Sequence, residues 1–217
     1  MTDFAPSYDV LVVGSGAGAL VAAVRAVDLG MSVAVVEKTR FYGGTSAVSG
    51  GGIWVPCHSA IAGTDTVESA IAYLIAASAG AGRERVIRTY VEQAPRMMEY
   101  LEGIGVRFRA FPSYPDYLEE LPGAGRGRSL LPCDFDGRLL EEEFFRLRDG
   151  HPSLRAFDRY SVNADMARAF NKRGPGWRRV AVKMWWDYWS DIRWRLRTRR
   201  DRRLTWGRAL VGILRPS

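Results

Sequence analysis

Gly14-Ser15-Gly16-Ala17-Gly18-Ala19 matches the pattern G-x-G-x-x-[G/A], and Glu37-Lys38 begins eighteen residues after Ala19. These residue types at this spacing can hold a dinucleotide. Gly14 permits a tight turn, Gly16 lets the backbone approach a pyrophosphate, and Ala19 keeps a helix close to a strand. Ser15, Ala17 and Gly18 fill the positions between. A helix that opens at this point offers free N–H groups and a partial positive charge to phosphate. A carboxylate such as Glu37 accepts from ribose hydroxyls.

A second segment of the same chemistry follows. Gly43, Gly44, Gly50, Gly51 and Gly52 put five glycines in ten residues, with Thr45, Ser46 and Ser49 among them. A second Gly/Ser-rich loop just after the acid brings more backbone to the same ligand. Simple NAD sites have no such loop at this place, whereas FAD sites of the glutathione-reductase-like class do. FAD is therefore the expected cofactor.

Other chemistry-bearing residues are sparse. Cys57 and Cys133 are the only cysteines, and His58 and His151 the only histidines. Zinc needs four ligands, and Cys57-His58 has no second pair nearby, so no metal is expected. Two isolated thiols point to a reducing compartment. Arg126 and Arg128 lie in a stretch, residues 120–138, rich in Gly, Pro and Arg. They read as solvated loop residues rather than phosphate ligands.

The elements that position the glycines read as one βαβ unit. Val10-Leu11-Val12-Val13 is a continuous apolar run, as in a strand buried on both faces. Apolar residues recur at helical spacing from Ala17 to Leu29, with Gly30 as the stop. Ser32 to Val36 is a second buried strand, ending on Glu37. Ile53-Trp54-Val55 looks buried, which argues against a flexible linker before it. Thr66 to Ala79 is an apolar helix capped by Thr66 or Asp65, its capping box incomplete because Ser69 replaces the usual Glu. Glu84 to Gly103 reads as a helix broken or kinked at Pro95. Val106 to Phe111 alternates as a strand, and Glu141-Glu142-Glu143 reads as a solvated helix face.

"DVLVVGSGAGAL", "VEKTRFYGGTSAVSGGGIWVP" and "FPSYPDYLEELPGAGRGRS" together resemble the FAD-dependent 3-ketosteroid Δ1-dehydrogenases, within the fumarate reductase/succinate dehydrogenase flavoprotein superfamily. The first two motifs belong to the whole superfamily; the third points to the ketosteroid branch. The resemblance implies 1,2-desaturation of a 3-ketosteroid, with FAD as hydride acceptor, and it names no electron acceptor. It implies that Tyr117 hydrogen-bonds a second tyrosine acting as base, and that Tyr114 lines the steroid pocket. The base and the oxyanion donors of the family pattern lie beyond residue 217. Family members are much longer, so the resemblance implies an N-terminal portion, inactive alone. The expected fold is α/β: an incomplete Rossmann-like FAD-binding domain with a mostly helical C-terminal segment. Its expected parts are residues 1–133, carrying the flavin motifs and the tyrosine loop; residues 134–203, a basic, Trp-rich insertion; and residues 204–217, the start of a further FAD-domain helix.

That insertion carries the charge. Residues 1–150 hold 14 Lys/Arg and 19 Asp/Glu, whereas residues 151–217 hold 17 and 5. Six of the seven Trp fall in residues 177–206. Trp177, Ala181, Met184, Trp185, Tyr188, Trp189, Ile192 and Leu196 share one broad face of a helix over 177–196, and an Arg-rich run, 197–203, follows. No nucleic-acid module accompanies it, so nucleic acid is not an expected partner. A Trp face packed on its own protein is the first expectation. A peripheral membrane contact through residues 177–203 is the alternative. With no basic leader and no apolar stretch long enough to span a bilayer, the expected location is cytoplasmic.

Overall fold

A computed structural model of the chain describes residue 5, residues 7–172 and residues 174–215. Two compact units emerge, residues 1–51 with 134–217, and residues 52–133. This division differs from the expected boundaries, because residues 134–203 return to the unit that holds the glycine motif.

The first unit opens with β1 (Val10–Val13), α1 (Ala17–Asp28) and β2 (Val33–Val36). The strands are parallel, with Val10 opposite Val33 and Val13 opposite Val36. Helix α1 buries Leu20, Ala23 and Ala26, one stripe at helical spacing, and Gly30 ends it at φ 82°. The expected burial of β1 on both faces is not met. Leu11 is 62% exposed and Val13 79%, because among the described residues α1 packs on this two-stranded sheet and its other face is open. The Gly/Ser segment contains a short helix, α2 (Gly44–Val48), where the sequence suggested only a loop.

The second unit holds β3 (Ile53–Trp54), α3 (Val67–Ala77), α4 (Glu84–Gly103), β4 (Phe108–Ala110) and β5 (Ser129–Pro132). The Thr66 side chain accepts from the Ser69 N–H and caps α3. Helix α4 runs unbroken through Pro95 and buries Ile87, Val91, Ala94, Met98 and Leu101. Strand β5 pairs antiparallel with both β3 and β4. Its existence corrects the reading of residues 120–138 as loop: a four-residue strand between glycines and prolines shows no period. Val55, Ala94, Met98 and Leu130 form one core, and Ala70, Ile71, Ile87 and Val91 a second.

The chain re-enters the first unit through β6 (Phe135–Asp136) and a 3₁₀ stretch over Gly137–Arg146, broken at Glu141 (φ 48°). Then come β7 (Arg155–Ala156), β8 (Tyr160–Ser161), α5 (Ala164–Lys172), α6 (Trp177–Trp189), α7 (Ile192–Arg197), β9 (Arg203–Leu204) and α8 (Trp206–Ile213). The expected single helix over 177–196 is two helices, interrupted at Ser190-Asp191. The interruption resets the phase. Met184, Tyr188 and Trp194 turn inward, while Trp185, Trp189, Ile192 and Leu196 stay exposed. Helix α8 packs on α2 through glycines. A Cβ on Gly207 would lie 1.8 Å from the Ser46 carbonyl oxygen, and one on Gly51 2.5 Å from the Gly207 nitrogen. No helix among the described residues is long and apolar enough to cross a membrane, and no group of them could hold a metal ion.

Candidate cofactor site and tyrosine loop

The glycine turn is tied to both later segments by one side chain. Ser15 is buried. Its Oγ donates to Glu37 Oε2 at 2.5 Å and accepts from the Gly43 N–H at 2.9 Å. Gly14, at φ 100°, donates to the Val36 carbonyl at 2.7 Å and so extends the ladder between β1 and β2 into the turn. The Ala17 N–H, in the first turn of α1, donates to Ser46 Oγ at 3.0 Å. Gly16 and Gly44 nearly touch, since a Cβ on Gly44 would sit 3.4 Å from the Gly16 Cα. Gly14, Ser15, Gly16, Ala17, Glu37, Gly43, Gly44 and Ser46 therefore form one cluster.

Room for a ligand lies beside that cluster. A Cβ added at Gly14 or Gly18 would meet nothing within 4 Å. The N-cap of α1, Gly16, has no side chain to cap it, and Ser46 Oγ takes only the Ala17 N–H, so the rest of the first turn, which also carries Ala19, is available to an anion. The Glu37 carboxyl lies below its usual range, held there chiefly by the Ser15 hydroxyl against a smaller opposing effect of burial, with Thr39 and Arg148 adding to the lowering. Its oxygens keep lone pairs for ribose hydroxyls. A glycine turn open at Gly14 and Gly18, a helix end with first-turn N–H groups to spare and an acid held in its ionised form fit the pyrophosphate and ribose of FAD.

Not every expected residue joins this cluster. Ser49, Gly50 and Gly51 serve the contact between α2 and α8: the Gly207 N–H donates to the Ser49 carbonyl at 3.1 Å, and Gly50 faces the Trp206 ring. Thr45 and Lys38 are exposed.

In the second unit, Tyr117 is 85% exposed and Tyr114 about half that. The residue between the proline and Tyr117 does the holding. Asp116 is buried; its Oδ1 accepts from Trp54 Nε1 at 2.7 Å, and its Oδ2 from the Gly125 N–H at 2.9 Å and Arg128 Nη1 at 2.8 Å. The loop closes on itself through Asp116 N–H to the Gly125 carbonyl and Gly127 N–H to the Tyr114 carbonyl. Arg126 pairs with Glu119 on the surface, as expected of a solvated loop.

Arg128 corrects that expectation for its own position. It is 1% exposed, and it reaches Asp65 through Nη2 (2.6 Å) and Nε (3.0 Å), Ser69 Oγ (2.9 Å) and the Gly123 carbonyl (2.9 Å) besides Asp116. Its guanidinium also lies over the Trp54 and Tyr73 rings, at 5.4 and 5.8 Å. In the sequence Asp65 was singled out only as a possible helix cap and Asp116 not at all; Asp116, a lone acid between Pro115 and Tyr117, is the one whose setting could have signalled a buried partner. Cys57 and His58 belong to the same framework: the Cys57 N–H donates to Asp65 Oδ2, and His58 Nε2 lies 3.0 Å from the Gly127 carbonyl.

A parallel βαβ unit with a glycine turn and an acid at the end of its second strand defines a dinucleotide-binding protein. The profile of a family described as an FAD binding domain matches residues 9–214, and the chain belongs to that family, with FAD as its cofactor. It is 41% identical over 212 residues, 95% of its length, to the 3-oxosteroid 1-dehydrogenase of Comamonas testosteroni, of which it covers 37%. It is 42% identical over 147 residues to a 4-oxocyclohexanecarboxylate 2-dehydrogenase of Sinomonas cyclohexanicum, covering 66% of this chain and 24% of that one. The fold is similar, with a TM-score of 0.88 and 42% identity, to the 3-ketosteroid Δ1-dehydrogenase of Sterolibacterium denitrificans solved with 1,4-androstadiene-3,17-dione, covering 95% of this chain and 38% of that one. The chain thus spans well under half the length of these relatives.

Proposed function

We propose that the chain supplies the Rossmann-like FAD-binding part of a flavoenzyme that desaturates a 3-ketosteroid between C1 and C2. The observation that carries this reading is identity of 41–42% across 95% of the chain with two dehydrogenases of that specificity. The open face of β1 is compatible with it, since the exposed Leu11 and Val13 offer an apolar surface on which a larger flavoenzyme can pack.

The chain's own residues have defined tasks in this reading. The Gly14–Ala19 turn and the start of α1 bind the pyrophosphate, and Glu37, ionised and oriented by Ser15, takes the ribose hydroxyls. FAD, when held there, would supply the acceptor for the hydride from C1. Removing the C2 proton falls to a tyrosine base, and an unassisted phenolate at neutral pH costs roughly 4 kcal/mol. Tyr117, presented outward by the buried Asp116, donates a hydrogen bond to that base and lowers the cost. Tyr114 lines the steroid pocket.

The test joins residues 1–217 to the remaining segment of the Comamonas relative and follows conversion of 4-androstene-3,17-dione to 1,4-androstadiene-3,17-dione. The fusion is expected to turn over, and Tyr117→Phe to slow turnover by about 10²-fold with flavin absorbance unchanged. A flavin-loaded fusion that ignores the steroid but oxidises 4-oxocyclohexanecarboxylate would replace the steroid reading with the one suggested by the Sinomonas relative. The 217-residue chain alone is expected to be inactive with added FAD.

A surface reading stands beside this one: α6 and α7 contact an anionic bilayer peripherally. Val182, Trp185 and Trp186 are exposed beside Arg178 and Arg179, and Trp186 is 64% exposed. Aromatic rings at a headgroup interface flanked by Arg suit such a surface. Co-sedimentation with phosphatidylglycerol vesicles is expected, and loss of it in Trp185→Ser/Trp186→Ser. Sedimentation unaffected by that double substitution would exclude this face.

A further inference from the structure

We infer that Arg148 is a cofactor contact at the adenosine end of the dinucleotide site, acting beside Glu37. It enters from a segment far along the chain from the glycine motif. The Tyr42 N–H donates to the Arg146 carbonyl and the Arg148 N–H to the Tyr42 carbonyl, each at 2.9 Å, so residues 146–148 run alongside residue 42 as a short parallel bridge. Leu147, fully buried, anchors that bridge. Arg148 is thereby delivered to the C-terminal edge of β2, where ligands of open α/β sheets bind.

Its side chain is held in place there. Arg148 Nη2 donates to Thr39 Oγ1 at 3.2 Å, and the Thr39 N–H donates to Glu37 Oε1 at 3.1 Å. Guanidinium, hydroxyl and carboxylate thus form one row next to the acid that takes the ribose. Ser15 occupies the other carboxylate oxygen from the opposite side. A ribose hydroxyl can donate to Glu37 and accept from a guanidinium at once, and the planar guanidinium can lie against an adenine face. Both contacts involve adenosine and neither involves the flavin ring. Arg148 carries no motif signature, because 109 residues separate it from Thr39.

This inference rests on the FAD assignment, and the experiment separates the two. The 217-residue chain is titrated with FAD, ADP and FMN by calorimetry, as are Arg148→Ala and Arg148→Lys. Arg148→Ala is expected to weaken FAD and ADP alike by roughly tenfold and to leave FMN unchanged, with Arg148→Lys recovering part of the loss. Unchanged ADP affinity in Arg148→Ala overturns the inference while leaving the FAD assignment intact. Equal weakening of FMN also overturns it, since a general loss of structure would explain that result. Failure of the unaltered chain to bind either FAD or ADP sinks both.

Discussion

Replacing Arg128 by methionine removes five hydrogen bonds at once, to Asp65 (two), Asp116, Ser69 and Gly123. It leaves the Asp65 and Asp116 side chains, 5% and 1% exposed, without their cation. Breaking a buried ion pair from one side costs about 3–5 kcal/mol, because the remaining charge stays desolvated. That is a large share of the roughly 5–15 kcal/mol that holds a domain together. The pH dependence supplies a second, independent signature. Burial pushes the Asp65 carboxyl up, but the Arg128 hydrogen bond and charge and the Cys57 and Thr66 N–H groups outweigh it, so it sits below the usual 3.8. A depressed folded value means a contribution present above the unfolded pKa and lost as pH falls through the folded one. In Arg128→Met the effect of burial dominates, the folded value rises above the unfolded one, and the penalty fades as Asp65 takes a proton. Urea unfolding followed by Trp fluorescence should therefore show a loss of about 3–5 kcal/mol at neutral pH and a smaller loss near about pH 5. Arg128→Met with Asp65→Asn and Asp116→Asn should recover part of it, since no buried charge is stranded. A loss under about 1 kcal/mol at neutral pH, or one of equal size at both pH values, would refute the account of Arg128 as the loop's anchor.

Ser15→Ala removes the hydroxyl that joins Glu37 to Gly43. FAD affinity should fall about tenfold, in keeping with a lost hydrogen bond to a charged group, and the Glu37 carboxyl should move up toward its ordinary value; fluorescence titration and NMR measure the two, and an unmoved Glu37 would count against the link. Gly207→Ala places a Cβ 1.8 Å from the Ser46 carbonyl oxygen. Backbone cannot yield as a side chain can, so a loss of about 1–3 kcal/mol or more is expected in thermal unfolding, and a wild-type melting temperature would contradict the close approach of α2 and α8. Gly14→Ala meets open space but keeps φ at 100°; it should cost about 1–2 kcal/mol through backbone strain, and a variant as stable as the parent would mean that the turn relaxes.

The βαβ unit was legible because its signals are local. Val10–Val13, Ala17–Asp28 and Val33–Val36 each carry their period within a few residues, and the glycines and Glu37 fall at offsets set by those lengths. What escaped was built from distant partners. Arg128 meets Asp65 across 63 residues, and nothing in "GAGRGRS" marks one arginine as buried and its neighbour as solvated. Strand β5 hides in the same stretch for the same reason, since its partners β3 and β4, not its own pattern, make it a strand. Ser49, Gly50 and Gly51 were read with the cofactor because Gly/Ser runs there usually are; the Gly51–Gly207 approach shows that the missing side chains also seat a helix, a role with no local signature.

The basic stretch shows why counting charge misjudges a surface. Residues 197–203 hold five arginines, and summed formally they look like an arm for phosphate. In the structure Arg197 bonds Glu142, Arg200 bonds the Phe144 and Leu147 carbonyls and pairs with Asp149, Arg202 pairs with Asp191, and Arg203 pairs with Asp187. Four of the five are thus committed within the unit, two of them, Arg197 and Arg200, to acids or carbonyls more than fifty residues earlier. Three arginines, 155, 200 and 208, converge on Asp149 alone. Arg208 is buried so deeply beside Phe144 that desolvation, aided by Arg200, lowers its pKa to about 10. Cations placed this way stitch the 3₁₀ stretch, the Arg-rich turn and α8 together; Arg200, Arg202 and Arg203 are taken up within the unit, whereas Arg197 and its exposed partner Glu142 remain at the surface. An exposed face remains along the outer side of α6, where Arg178, Arg179, Trp185 and Trp186 lie together, and it continues onto α7 through Ile192, Arg193 and Leu196. A contact with lipid would therefore depend on tryptophan insertion more than on the net charge of the tail.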